Sequence, residues 1–452
     1  MSSSHVDVCD LHPSLLSESP AMTTLTPTRS LTPARRTLAL LALALGGFAI
    51  GTTEFVAMGL LPDIAAALLP HQYGVDPEEG IAHAGWLVSA YALGVVVGAP
   101  TIAAASARYP RKKLLLVLLV GFTLATIASA VLPSFGLVLV ARFVAGLPHG
   151  AYFGIASIVA AEIMGPGNRG KGVAMVMAGL TVANIVGVPA VTFIGQGASW
   201  RVAYLVVAML FAATFLAVLA LVPQQPADAA ASIRRELRAF RVPQVWLVMA
   251  LGAIGFGGFF AVYSYISPLV VQVAHLPESV VPFVLAVVGV GMTIGNIIGG
   301  HCADRSIKET IFIGLGALVL ALIVAEIAAP SPVGIFIGAF LLGGTSSAIS
   351  PAVQTRLMEV AGDSATIAAA LNHSAFNIGN SLGAFLGGAA IAQGFGYRAP
   401  GWIGVVLAVL GFGIATVSYR VQRRTDRRDA ERHLGPASAG EDRPITRPVP
   451  TA

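Results

Sequence analysis

Apolar residues in this chain gather into about twelve long runs separated by short polar intervals, near 38–61, 84–106, 114–132, 135–163, 172–195, 201–222, 246–270, 281–301, 310–329, 333–358, 364–392 and 398–420. A helix needs about 20 apolar residues to cross a hydrocarbon core of about 30 Å, and the runs are long enough for that. Small residues pervade them and no alternating ten-residue pattern recurs, so the pattern predicts membrane-spanning helices rather than barrel strands. Three polar stretches interrupt it. Residues 1–36, rich in Ser, Thr and Pro, and 421–452, basic and proline-containing, read as disordered cytosolic tails. Residues 223–245 read as a linker with a short basic helix, RRELRAFR. The expectation is an all-α membrane protein with an amino-half bundle of six helices over 37–222 and a carboxyl-half bundle over 246–420.

An internal repeat supports the two-bundle reading. GAPTIAAASARYPRKK at Gly98–Lys113 runs from a small-residue helix end into a cluster of cations, and GNIIGGHCADRSIK at Gly295–Lys308 does the same after Asp304. Two copies of one grammar predict a pseudo-symmetric transporter. Arg108, Arg111, Asp304 and Arg305 are therefore candidates for an inner gate whose contacts hold the protein open to the outside.

Composition narrows the class. Hydrophobic residues make up 56% and charged residues 11% of the 452, and mean hydropathy is +0.80, so lipid must be the main solvent. A net charge of +5 could suggest nucleic acid, but the cations are sorted by side. Arg108 to Lys113, Arg169, Lys171, Arg234 to Arg241, Arg305, Lys308 and Arg356 fall on the side of both termini, whereas Arg201 and Arg398 fall on the other. That asymmetry predicts a multi-pass protein of the cytoplasmic membrane with both termini in the cytosol and no nucleic-acid partner. A monomer is expected. The first run is too long for a signal-peptide core. Cys9 and Cys302 form no disulfide framework.

The interval GPGNRGKG matches most of a phosphate-binding loop, but Gly172 replaces the Ser or Thr that would hold magnesium, and no strand precedes it. No cofactor is expected, and a proton gradient is the expected drive. The scattered His, Cys and acidic residues show no ligand spacing for a metal and no nucleophile constellation, which argues against an enzyme.

Polar residues inside the runs carry the candidate chemistry, because a charge at a helix centre costs roughly 2.5 to 3.5 kcal/mol on insertion scales. Glu54, in GTTEFVAMGLLPDIA, and Arg142, in ARFVAGLPHGAYFG, each lie about 12 Å below the outer helix end at 1.5 Å per residue. Matched depth nominates them as a proton-coupling pair. His149 and the stripe of His373, Asn377 and Asn380 in the eleventh run cannot comfortably face lipid. Glu162 and Glu359 are expected partners of loop cations, and Glu326 an interfacial residue. The seventh run combines glycines with Phe256, Phe259, Phe260 and Tyr263. With Tyr152 and Phe153 these rings are expected to line an apolar cavity for a small amphipathic substrate. Gly94 and Gly98, then Gly291, Gly295 and Gly299, then Gly379, Gly383 and Gly387, have the spacing of close helix contacts.

On these residues the chain resembles the major facilitator superfamily, and within it the twelve-helix drug:proton antiporters. Gly98–Lys113 and Gly300–Lys308 are similar to the family's loops after helices two and eight, and Arg142 with Gly146 and Gly150 to its helix-four arginine motif. Gly179, Gly187, Pro189 and Gly195 resemble the helix-five antiporter motif. GTTEFVAMGLLPDIA and GVPAVTFIGQGASWR look most like arabinose-efflux-type permeases and chloramphenicol exporters. Two departures stand out: Ala107 where the loop motif usually has aspartate, and Val188 between Gly187 and Pro189. The resemblance implies alternating access around a cavity bordered by helices one, four, seven and ten, with export of a compound against protons. The alternatives from the same fold are a sugar or metabolite exporter and a proton symporter; a membrane receptor or enzyme is the alternative from a different class.

Overall fold

The computed structural model describes residues 32–106, 109–165, 167–225, 237–362 and 365–433. The expected terminal tails, most of the linker, and Arg108 lie outside these residues wholly or in large part. Among the described residues there are twelve helices long and apolar enough to cross a membrane: Pro33–Gly59, Pro77–Ile102, Arg111–Val131, Phe135–Met164, Arg169–Gly197, Trp200–Leu221, Pro243–Tyr263, Glu278–Arg305, Ile307–Ala328, Pro332–Ala361, Ala370–Phe395 and Ala399–Arg428. They are numbered here as spans one to twelve. Within hydrocarbon the backbone must satisfy its own hydrogen bonds, which is why long apolar runs become helices. Their ends are set by capping. Thr32 accepts from the Arg35 amide at 3.4 Å ahead of Pro33, starting span one before residue 37. Ser199, Ser306 and Ser331 cap the amino ends of spans six, nine and ten in the same way. Helix also continues past residue 420, to His433.

Small residues make the internal repeat visible in packing. A methyl group on Gly94 or Gly98 would overlap the carbonyls of Phe143 or Leu147 in span four. One on Gly291, Gly295 or Gly299 would overlap those of Phe340, Gly344 or Ala348 in span ten. Spans two and four of the first half thus meet as spans eight and ten of the second do. Gly179 packs on Ala44 of span one, and Gly379 on Ala253 of span seven, completing the correspondence. Where backbones approach this closely, dispersion between helices replaces the hydrophobic drive that lipid removes.

Several spans are interrupted. Span two breaks at Gly85, span four at Leu147 and Pro148, and span seven stops at Tyr263, followed by a π-helical turn at Leu269–Val273. Span five carries a π-helical turn at Ala183–Gly187 just before Pro189, whose missing amide donor the wider turn accommodates. Span one is followed by a short helix at Leu61–Leu68, and the polar interval HQYGVDPEEGIAH, which reads from sequence as a loop, is helical at Pro70–Val75 and Pro77–Ala84. The Asp76 carboxylate caps the last of these, accepting from the amides of Glu78 at 2.9 Å and Glu79 at 3.1 Å, with Pro77 in the first turn.

An even number of spans puts both described ends of the chain on one face. On the opposite face the halves are sealed together. Leu61, Ala65, Ile81, Ala82 and Ala84 from one half form a separate apolar cluster with Tyr265 and Ile391 from the other. The Gln196 amide donates to the Glu278 carbonyl at 3.1 Å, and Ser89 to the Ser381 carbonyl at 3.1 Å. The Ser374 hydroxyl meets the Val96 carbonyl at 3.4 Å, near mid-depth. The described hydrogen bonds between the halves therefore run from the opposite face to the middle of the bundle.

Candidate functional site between the two halves

Span one is buried from Ala49 through Gly59, and its Glu54 is 5% exposed. Arg142, in the first segment of span four, is fully buried. Matched depth does bring the two spans together, but the guanidinium is not ion-paired with Glu54. It donates through Nη2 to the Thr53 carbonyl at 3.0 Å and through Nη1 to Thr53 Oγ1 at 3.3 Å. Its central carbon lies 4.4 Å from the ring centroid of Tyr91 and 5.3 Å from that of Tyr204. Two π-faces and one backbone turn thus hold the cation, and it acts on Glu54 through space. The Glu54 carboxyl is also faced by Asn380 of span eleven, in the other half.

Pro148 breaks span four one residue before His149. His149 Nδ1 meets the Tyr91 hydroxyl at 3.1 Å. The imidazole also lies 5.8 Å from that of His373, while Phe153 stacks on His373 at 5.4 Å with the rings 4° apart. The structure therefore brings His149, Phe153 and His373 together across the seam between the halves. Asn377 donates to the His373 carbonyl at 3.0 Å, leaving its Oδ1 buried and unpartnered.

The rings of span seven form a stack. Phe259 and Tyr263 lie 5.0 Å apart, Phe256 meets Phe376 at 4.5 Å, and Phe55 meets Tyr263 at 5.6 Å and Phe260 at 6.3 Å. The residue beside Glu54 is thus clamped by span seven. All four expected rings are buried in the core in this conformation, so a ligand reaches them only if the halves move. Tyr152 departs from the cavity-lining expectation: fully buried, it donates to the Leu43 carbonyl at 3.0 Å and ties span four to span one. Gly187 abuts Thr52 and Phe48, and Gly195 abuts Leu60, so the glycines expected as an antiporter motif line the contact with span one.

Several buried polar atoms near this seam have no partner: Arg142 Nε, Tyr263 Oη, Asn184 Oδ1, Asn372 Oδ1, and both amide atoms of Asn380. An interior that leaves such groups unsatisfied carries a cost of about 1–3 kcal/mol each, which a polar ligand or water can relieve. Tyr91, Tyr204, Thr53, Asn184 and Asn372 were not singled out from the sequence. Asn184 and Asn372 had a usable signal, an amide inside an apolar run; the tyrosines and Thr53 had none.

Of the expected gate residues, Arg108 lies outside the described residues. Arg111 pairs with Glu162 inside the first half, as expected for that glutamate. Asp304 and Arg305 are exposed at the end of span eight. Glu359 pairs with Arg356 at 3.3 Å. Glu326 is not interfacial: at 1% exposure it is buried against Gly401, with Arg398 Nε 3.5 Å from its carboxylate.

The family model described as Major Facilitator Superfamily matches residues 43–366 and 275–450. The inner membrane transport protein YdhP of Escherichia coli (strain K12) is 37% identical over 386 residues, covering 85% of this chain and 97% of that protein. AraJ of the same strain is 34% identical, covering 82% and 92%. A chloramphenicol resistance protein of Streptomyces lividans is 30% identical, covering 84% and 95%. Among solved structures, a bacterial homologue of the human lysosomal transporter Spinster, inward-facing and unoccupied, superposes with a TM-score of 0.67 over 86% of this chain and 98% of that one, at 16% identity.

Proposed function

Since the chain belongs to the major facilitator superfamily and is a multi-pass membrane transporter, we propose that it exports small amphipathic compounds in exchange for protons, by alternating access of its two halves. The observation that carries this reading is Glu54: an acid buried where the halves meet, near a cation that is not its ion-pair partner and opposite an unpartnered amide. A carboxyl so placed changes surroundings when the halves rock, and with them its hold on a proton. Arg142, locked to Thr53 and the two tyrosines, supplies a fixed field.

The positive-inside pattern puts the face with both chain ends in the cytosol, so the sealed face is the outer one, and a proton is delivered inward and a substrate admitted when the halves part on the cytosolic side. Opening outward would bring Arg108, Arg111, Asp304 and Arg305 toward one another as the inner gate. The substrate class follows from the rings of Phe256, Phe259, Phe260, Tyr263 and Phe153 beside His149, His373 and Asn377, a surface suited to a flat compound with a few polar groups. The relative named for chloramphenicol resistance makes chloramphenicol-like drugs the first compounds to try. The unpartnered amides of span eleven favour a second reading, a hydroxyl-rich sugar or metabolite.

The test is transport in proteoliposomes under an imposed pH gradient, with a panel of labelled antibiotics and sugars. Counterflow of a drug and protons is the expected result. Glu54→Gln should insert normally, retain substrate binding and lose gradient-driven transport. Full proton-driven efflux by that variant would sink the role given to Glu54, and co-transport in the direction of the proton would sink export.

A further inference from the structure

The sealed face holds a second polar site that the transport reading leaves unused. A cavity of about 500 Å³ lies there between the halves, lined by Asp63 and Glu78 from one and by Ser267, Gln272, Glu278 and Tyr397 from the other. Its lining holds three carboxyl groups and no Lys, Arg or His. Asp63 and Glu278 line this one cavity from opposite halves, near enough for each carboxyl to act on the other. A carboxylate only accepts hydrogen bonds, so two facing carboxyls attract only when one of them keeps a proton. Asp63 Oδ2 is buried with no donor of the chain beside it. Ser267, fully buried, presents an unpartnered hydroxyl to the same cavity.

We propose that Asp63 and Glu278 form a proton-binding site across the two halves, in which one shared proton closes this face and its loss opens it. The step is a plain protonation: a proton from the adjoining water joins one carboxylate, the resulting O–H bridges to the other, and opening returns the proton to that water. The groups facing the pair are Glu78 and Tyr73 after Asp63, Gln196 of span five, and Gln272, Ser267 and Tyr397 of the second half. None of these is positively charged, so no cation relieves the repulsion.

Burial first, and then the Glu278 carboxyl, push Asp63 up to about 6 from its ordinary 3.8. Opening separates the pair and returns Asp63 toward the ordinary value, so the closed state binds the proton more tightly. Closure is favoured below the ordinary value and its proton contribution fades as pH rises through about 6. The site thus gives a proton gradient a second point of action, at the gate itself. It presumes alternating access, but not the role of Glu54 or the direction of transport.

The experiment places spin labels at Val75 and Phe395, exposed on this face in opposite halves, and measures their separation in lipid nanodiscs from well below to well above pH 6. The parent chain should gain a longer distance as pH rises. Asp63→Asn and Glu278→Gln each keep a hydrogen bond without the shared proton, and each should stay closed across the range. Should one fail to fold, the other carries the same expectation. Distances that ignore pH in the parent chain, or a pH midpoint unmoved in a folded variant, overturn the proposal. Glu54→Gln should keep the parent's opening with pH whether or not it transports, which separates failure here from failure of the exporter reading.

Discussion

Tyr91 holds Arg142 on its ring face, 4.4 Å from centroid to guanidinium carbon, while its hydroxyl meets His149 at 3.1 Å. One side chain of span two therefore orders both Arg142 and His149 of span four.

The two roles of Tyr91 separate by substitution. Tyr91→Phe keeps the ring and removes one hydrogen bond, so unfolding should shift by about 1 kcal/mol. Tyr91→Ala removes the ring from a buried guanidinium and leaves a cavity, a loss of about 3–5 kcal/mol. Thermal unfolding in detergent should rank the parent chain just above the phenylalanine variant and far above the alanine variant. Equal losses would show that the hydroxyl, rather than the ring, holds this corner together.

Close packing of the repeat gives a second contrast. Gly295 faces the Gly344 carbonyl of span ten with no room for a methyl, whereas Gly154 has open space around its missing Cβ. Gly295→Val should prevent accumulation of folded protein. Gly154→Ala, in the interior of a helix, should be neutral or stabilising by about 0.5–1 kcal/mol. Comparing membrane levels and unfolding temperatures of the two checks the packing directly.

The spans, their close-packing glycines and the repeat were legible because lipid forces a simple code: apolar runs become helices, and small residues mark where they touch. The site was half legible. Glu54, Arg142 and His149 announced themselves by insertion cost, and helical rise placed the first two at one depth. It could not say that Arg142 would turn to Thr53 and two tyrosines, since side-chain direction is settled by packing between spans. Glu326 illustrates the same limit. Its closeness to Pro330 suggested an interface, but Arg398 reaches back from beyond span eleven and buries it. In the stretch after span one, Asp76 and Pro77 spell a helix start, a local capping signal that the polar composition around it masks.

The Glu326 and Arg398 pair yields a third prediction. Arg398 also donates to the Glu326 carbonyl at 2.7 Å, so Arg398→Ala strips a buried carboxylate of its partner. Such a loss is usually about 3–5 kcal/mol, and about 2–3 is expected here because Arg398 is half exposed. Adding Glu326→Gln should recover most of it by removing the stranded charge. Unfolding of the single and double variants in detergent measures the difference; a double variant no better than Arg398→Ala would show that packing, not charge, is what Arg398 supplies.

Asn380 separates stability from function most sharply. Neither of its buried amide atoms makes a hydrogen bond of ordinary geometry, and its side chain faces Glu54 from the opposite half. For stability alone this is a poor residue, because unsatisfied buried groups cost about 1–3 kcal/mol each. Asn380→Leu, close in volume, removes that cost and should leave unfolding unchanged or raise its temperature. Under the coupling proposal the amide is the polar surface that Glu54 meets when the halves close. Without it the charged carboxylate faces hydrocarbon, and release of the proton is opposed. Gradient-driven transport should then fall at least about tenfold, the equivalent of 1.4 kcal/mol, while transport down the substrate's own gradient persists. Parallel measurement of unfolding and of both transport modes decides the matter: a stabilised variant with intact proton-driven transport would return Asn380 to ordinary packing.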